Sequence, residues 1–395
     1  MKRTLVGSPW LLAGAAVALF GLATAGRVSA QITPQVLGEP VAAYDQPFSM
    51  LSGLRELSDG RVIVSDGLEE TVQLLDAKLA SAQQIGRKGQ GPGEHGQPDA
   101  LFPWGENDET LLVDLGNARL TVISADGELG ESMPISREAN GAPMIVIPRG
   151  VDADANIYFQ PFGMRPGGGI PDSSTVVRLA ADGSSADTIA AIKRPDMKAN
   201  NSGGPNNRST MIMPVPLSAE DSWAAAPDGS VAIARSADYH LEWVRPDGSI
   251  QRGSPVDYDP VRVRKAEKDR WVAALGGGLR IGMTIDNGER RMSLSRGGSG
   301  APQPDAGDFE WPETMPAFAG GGAVSVTPDG HAWVERNTPA GSPATFDVFG
   351  PSGDRIGVLV LPEGRELVTF GVGSVYLSRT DDLDFVWLEK YERAL

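Results

Sequence analysis

The feature that most constrains this chain is a repeated unit, seen best from Ala323 to Leu361. It reads Ala-Val-Ser-Val-Thr, then a Pro328-Asp329-Gly330 turn, then His-Ala-Trp-Val-Glu. After a short loop come Thr345 to Phe349, a second turn at Ser352-Gly353, and Arg355 to Leu361. Short apolar–polar alternations broken by tight Gly turns are the mark of antiparallel strands. The unit recurs six times. Asp59-Gly60, Asp126-Gly127, Asp182-Gly183, Asp228-Gly229 and Asp247-Gly248 mark turns in other copies. Units that cannot bury their faces alone must stack, and regular four-stranded units stack radially. The expectation is an all-β, six-bladed β-propeller of four-stranded antiparallel blades with one short inserted helix.

The last copy is one strand short. Glu366–Phe370, Ser374–Ser378 and Phe385–Tyr391 account for three strands. A strand-like segment near Ile32 to Leu37 is left over at the other terminus. The reading is that it completes the last blade and closes the ring, which removes the free sheet edges. An open sandwich of similar strands is the competing architecture.

Residues 1–30 read as a signal peptide: Lys2 and Arg3, an apolar run from Leu11 to Leu22, and a small-residue site at Val28-Ser29-Ala30. That run is short of the ~20 residues that span a bilayer. Cleavage near Ala30 implies a periplasmic or secreted protein with no integral membrane segment. It also takes the net charge from −16 to −19, as Lys2, Arg3 and Arg27 leave. Such acidity opposes binding to nucleic acid and favours cationic partners. With no cysteine there is neither a disulfide nor a thiol nucleophile, so the core alone holds the fold.

The Asp-Gly turns, Ile85-Gly86 through Gly91-Pro92-Gly93-Glu94, Val113-Asp114 with Asn117-Ala118-Arg119-Leu120, residues 328 to 334, and Arg379 to Asp384 resemble the repeats of exported bacterial six-bladed propellers of the NHL/TolB-like kind. The resemblance covers nearly all of residues 31–395. It implies the fold; members of such a family include binding modules, scaffolds and enzymes, so it leaves the activity open.

Within a blade, strands a to d alternate in direction, so the a–b and c–d turns share one end of the ring. The b–c loops and the crossovers between blades share the other. The Asp-Gly turns are tight, whereas Gly86–Gln97, an insertion at 193–221 and one at 259–308 are all crossovers. Long loops on a rigid scaffold carry function, so the crossover face is the expected binding face. The polar stretch Asn200–Asn207 reads as a mobile loop, and 293–308, rich in Gly, Ser, Pro and Asp, reads as loop. Asp259 and Pro260 read as the start of a helix over Val261 to Leu275, stopped by Gly276, with Trp271 and Leu275 facing inward.

Seven residues beyond the Asp-Gly position, strand b reaches the crossover face. Those positions hold Asp66, Asp114, Pro161, Arg235, Arg336 and Arg379. Three arginines oppose two aspartates, which suggests a polarised, ligand-binding rim. The competing reading makes them solvated strand ends, with Asp66 and Asp114 capping their own turns. Trp104, Trp223 and Trp311 lie near crossovers; Trp104 and Trp311 are candidates to floor a pocket, against simple packing between blades.

Catalytic motifs are wanting. Gly89 to Gly93 lacks the following helix and, at Pro92, an amide that a phosphate loop needs. His95, His240 and His331 fall in separate repeats without metal-ligand spacing. Asp66, Asp114, Asp152 and Asp154 offer carboxylates, but no spacing singles out a ligand set. No cofactor is implied. The expected function is non-catalytic binding of a protein, peptide or glycan on the crossover face. The alternative is a metal-assisted hydrolase or lyase with carboxylate ligands in the channel.

Overall fold

The computed structural model describes residues 32–161, 171–204, 207–275, 279–286, 289–296 and 305–393. Six antiparallel blades form a six-bladed β-propeller. In blade 1, strands a to d are Leu51–Glu56, Val62–Asp66, Thr71–Leu75 and Ala82–Gln84. Blades 2 to 5 follow within 98–134, 150–193, 222–252 and 324–360, and three strands of blade 6 lie within 365–392. First strands neighbour one another from blade 1 through blade 5, and that of blade 6 neighbours that of blade 1.

Why the repeats must close is visible in their cores. Side chains alternate along a strand, so every blade needs an apolar neighbour on each face. Val62 and Val64 pack towards Tyr376 and Leu388 of blade 6, while Ile63 between them packs towards Leu112 of blade 2. Trp333 faces blade 6, and Ala332 and Val334 face blade 4. The buried side chains accordingly fall into six clusters, one between each adjacent pair of blades.

The turns show why Asp-Gly recurs. The aspartate carboxylate accepts the N–H two residues on, as Asp59 does from Arg61 at 3.0 Å and Asp228 from Ser230 at 2.9 Å. The glycine sits in the left-handed region, with φ 83° at Gly330, where a Cβ is costly.

Ring closure is by the N-terminus, with a different segment from the one expected. Gln35–Val36 pairs in parallel with Leu359 and Val360 as a fifth strand on blade 5. Ala42–Ala43 is the strand that completes blade 6, antiparallel to Lys390 and Glu389. Tyr44 and Phe48 extend it through bonds to Leu388 and Val386 and are buried between blades 6 and 1. The chain passes the outer edges of both blades in turn, and two short apolar segments compete for one edge; only the path of the backbone decides between them.

The insertions also differ from the expected loops. Met197–Gly204 and Asn207–Pro214 form a hairpin, and Leu279–Asp286 and Glu289–Arg296 form another. The two join through Ser209 and Thr210 to Thr284 and Met283 in one four-stranded sheet. The strand that joins them, Asn207–Pro214, meets a partner some seventy residues away, which local pattern does not reveal. A further hairpin, Ser136–Ala139 with Ala142–Ile145, occupies the crossover from blade 2 to blade 3.

Helix α1 spans Lys265–Leu275, a turn later than expected. Arg262 is instead bridged to Thr314. Glu267 defines the start: one oxygen accepts the Arg264 N–H at 2.9 Å, the reach-back half of a capping box. Its other oxygen accepts the Ala340 N–H at 3.0 Å, which ties the helix to blade 5. Among the described residues no helix is long and apolar enough to cross a membrane. Residues 1–31, which hold the stretch read as a signal peptide, lie outside what is described, as do Gly276 and the Leu275 side chain.

Candidate functional site

Strand-end residues at the crossover face are held by a repeated diagonal. Ile233 pairs with Glu242, Val334 with Asp347, and Leu377 with Glu389. Two residues beyond each strand-b member stand Arg235, Arg336 and Arg379, and each turns back to that carboxylate. Arg235 Nε donates to Glu242 at 2.6 Å and Arg336 Nε to Asp347 at 2.7 Å. Arg379 lies 3.7 Å from Glu389 and stacks over Trp387. At the same diagonal in blades 1 and 2, where strand b ends in Asp66 and Asp114, the partners are Gln73 and Thr121. The rim is therefore polarised in sequence, but its arginines are each neutralised within their own blade.

Both aspartates hold backbone. Asp66 accepts N–H groups of Ser49 at 2.7 Å and of Leu68 and Glu69 at 3.0 Å. Asp114 accepts those of Gly96 and Asn117 and an Arg119 Nε–H. Each fastens a crossover to the b–c turn it faces. Trp104 ends strand a of blade 2 opposite Glu109, which puts it at the Asp-Gly end and corrects its expected place near a crossover. The reason is direction: strand a starts at the crossover face and runs away from it. Trp223 is buried between blades 3 and 4. Trp311 packs edge-on against Trp271 of α1 and Phe309, with its Nε1 donating to Ala306 at 2.7 Å. It braces the helix.

What the crossover face does hold is a cavity of about 630 Å³. It lies where strand b of blade 5 ends at Glu335 and Arg336 and strand a of blade 6 begins at Arg365 and Glu366. Arg270 and Trp271 of α1 line another side, and Pro195 and Pro214, at the base of the 197–214 hairpin, complete the rim. Of the sequence candidates, only Arg336 lines it.

Its charges fall into two groups. Arg336 and Arg365 are committed to Asp347 and Glu389, and Arg270 donates to the Thr338 carbonyl at 2.8 Å. For Arg336 burial disfavours the cation, yet the Asp347 hydrogen bonds hold its pKa above the ordinary value. Glu220 packs against Gly320, where a Cβ would meet its carboxylate at 2.6 Å. Burial raises the Glu220 pKa, opposed by the Gly321 N–H and by Arg149. Burial also raises that of Glu335, with the negative charge of Glu366 adding and Arg270 opposing.

Glu335 and Glu366 were not singled out in the sequence. Glu335 directly precedes Arg336 and points to the same end, but a count that finds strand ends cannot tell which of two neighbours faces a cavity between blades.

Fold and site together define a six-bladed β-propeller with tight turns on one face and a lined cavity on the other. No protein-family model and no curated protein matches the chain. Among solved structures, a duf4221 family member from Bacteroides vulgatus aligns with TM-score 0.51 at 9% identity, over 90% of this chain and 97% of that one. A calcium-binding protein, regucalcin, from Agrobacterium tumefaciens aligns at 0.41 and 12% identity, over 92% and 98%. A streptogramin B lyase structure aligns at 0.38 and 11%, over 90% and 97%. At these identities the likeness is one of fold.

Proposed function

We propose that this chain is an exported, non-catalytic propeller of the NHL/TolB-like kind that binds a protein, peptide or glycan segment in the crossover-face cavity. The cavity carries the proposal: it is large enough for several residues or sugar units, and it is bounded by the helix and hairpin that the ring has inserted. Export rests on the sequence of residues 1–30. For the alternative of a metal-assisted hydrolase or lyase no observation speaks, since among the described residues no three His, Asp or Glu side chains are grouped to hold a metal ion.

The test is co-purification of the mature chain from an exported fraction, with mass spectrometry of what stays bound, beside Ala274→Trp. Ala274 is an exposed helix residue on the cavity wall, so the indole fills the space without disturbing a core. A species retained by the wild type and lost from the variant supports the proposal. Equal retention by both overturns it.

A further inference from the structure

Resting on that binding role, we propose that the cavity selects a basic peptide side chain, an ammonium or guanidinium on an apolar stem, through Glu335 and Glu366. The charges of the wall do not balance among themselves. Each lining arginine already has an acceptor. Glu267 spends both oxygens on backbone N–H groups. Glu220 has the Gly321 N–H and Arg149. Glu335 and Glu366 have no hydrogen bond or ion pair to their carboxylates among the described residues, although Glu335 is half-buried and feels the charge of Glu366.

A half-buried carboxylate without a partner costs free energy. A cation entering the cavity recovers it by pairing with the two carboxylates; of the wall's cations only Arg270, held by a neutral carbonyl, acts on Glu335, and one cation does not compensate two carboxylates. The rest of the wall suits the stem. Trp271, Met315, Phe318 and Leu217 present apolar surface beside the carboxylates, as a lysine or arginine methylene chain requires. Glu366 is exposed and Glu335 half-buried, so an entering cation meets one carboxylate in water and the other partly shielded from it. A chain with net charge −16 draws cations to it from a distance.

The experiment is calorimetric titration of the mature chain at 0.15 M salt with a blocked tetralysine peptide and with its Nε-acetylated counterpart, which has the same backbone but no side-chain charge. The expected result is binding of tetralysine at least about 10-fold tighter than the acetylated peptide. Glu335→Gln with Glu366→Gln should reduce that preference to about 2-fold, and thermal melting establishes that the variant is folded. Glu128→Gln with Glu131→Gln, exposed on blade 2, makes the same change in net charge and should leave the preference intact. If both peptides bind equally and Ala274→Trp abolishes both, cation selection is wrong while the binding site stands. If neither binds, cation selection is also wrong. Tetralysine binding that ignores Ala274→Trp and both glutamates, or that falls equally in the blade 2 variant, overturns the site along with its specificity.

Discussion

Asp347→Asn tests how the crossover rim is held together. Asp347 is fully buried on strand c of blade 5. It accepts Arg336 Nε at 2.7 Å, a second bond from the same guanidinium, Arg355 Nη1 at 3.2 Å, and Tyr239 Oη of blade 4 at 2.6 Å. One anion thus compensates two cations and fixes a phenol whose pKa burial raises well above its ordinary value. Asparagine keeps the shape but removes the charge and one acceptor. Breaking a buried pair by neutralising one partner costs about 3–5 kcal/mol. Arg336 and Arg355 are 27% and 23% exposed, so water recovers part of their solvation and the lower end applies. Unfolding entropy of about 2.1 cal/mol/K per residue over 395 residues is roughly 0.8 kcal/mol/K. A loss of ~3 kcal/mol then lowers Tm by about 4 °C. Scanning calorimetry reads it directly. Tyr239→Phe should cost about 1–3 kcal/mol. Because Tyr239 and Asp347 share one bond, the double variant should fall short of the sum by at least ~0.5 kcal/mol. A Tm for Asp347→Asn within about 1 °C of wild type, or full additivity, would refute this account of the rim.

Three further outcomes follow from other contacts. Starting the chain at residue 41 should cost about 2 kcal/mol, chiefly the burial of Leu37, whereas starting at residue 49 also removes Tyr44 and Phe48 and opens blade 6, costing roughly 6 kcal/mol; urea midpoints separate the two. Glu335→Gln should raise Tm at pH 7–8. A carboxyl whose folded pKa is raised binds protons more readily folded than unfolded, so its destabilising effect is full above the folded pKa and vanishes below the unfolded value near 4.5. The gain over wild type should shrink as pH falls through that window, and a gain independent of pH would count against it. Glu267→Ala should lose about 1 kcal/mol by uncapping α1 and releasing Ala340, with a shift in Trp271 emission as the cavity wall loosens; unchanged emission and stability would show the cap to be idle.

Much of the ring is legible from local pattern because a propeller repeats its instructions. Asp-Gly turns announce hairpins, alternation announces two buried faces, and the length of crossovers announces which end carries insertions. The same local logic placed Asp66 and Asp114 at strand ends. Whether such a carboxylate points to solvent or to backbone depends on where the preceding crossover runs, and here both receive its N–H groups. The arginines were found for the same reason, but their partners Glu242, Asp347 and Glu389 lie on the next strand at a separation set by loop length. Trp104 was misplaced by nearness in sequence to a crossover, although strand direction carries it to the other end.

The amino-acid order alone determined the number of blades, their antiparallel build, the acidity of the surface and the face with long connections, because each is written within some forty residues. The tertiary structure decided which N-terminal segment shuts the ring, that two distant insertions pair into one sheet, and that Glu335 and Glu366 share a cavity wall with Arg270. These depend on segments far apart in the chain meeting at one edge or one rim, and meetings of that kind are set by the packing of all six blades.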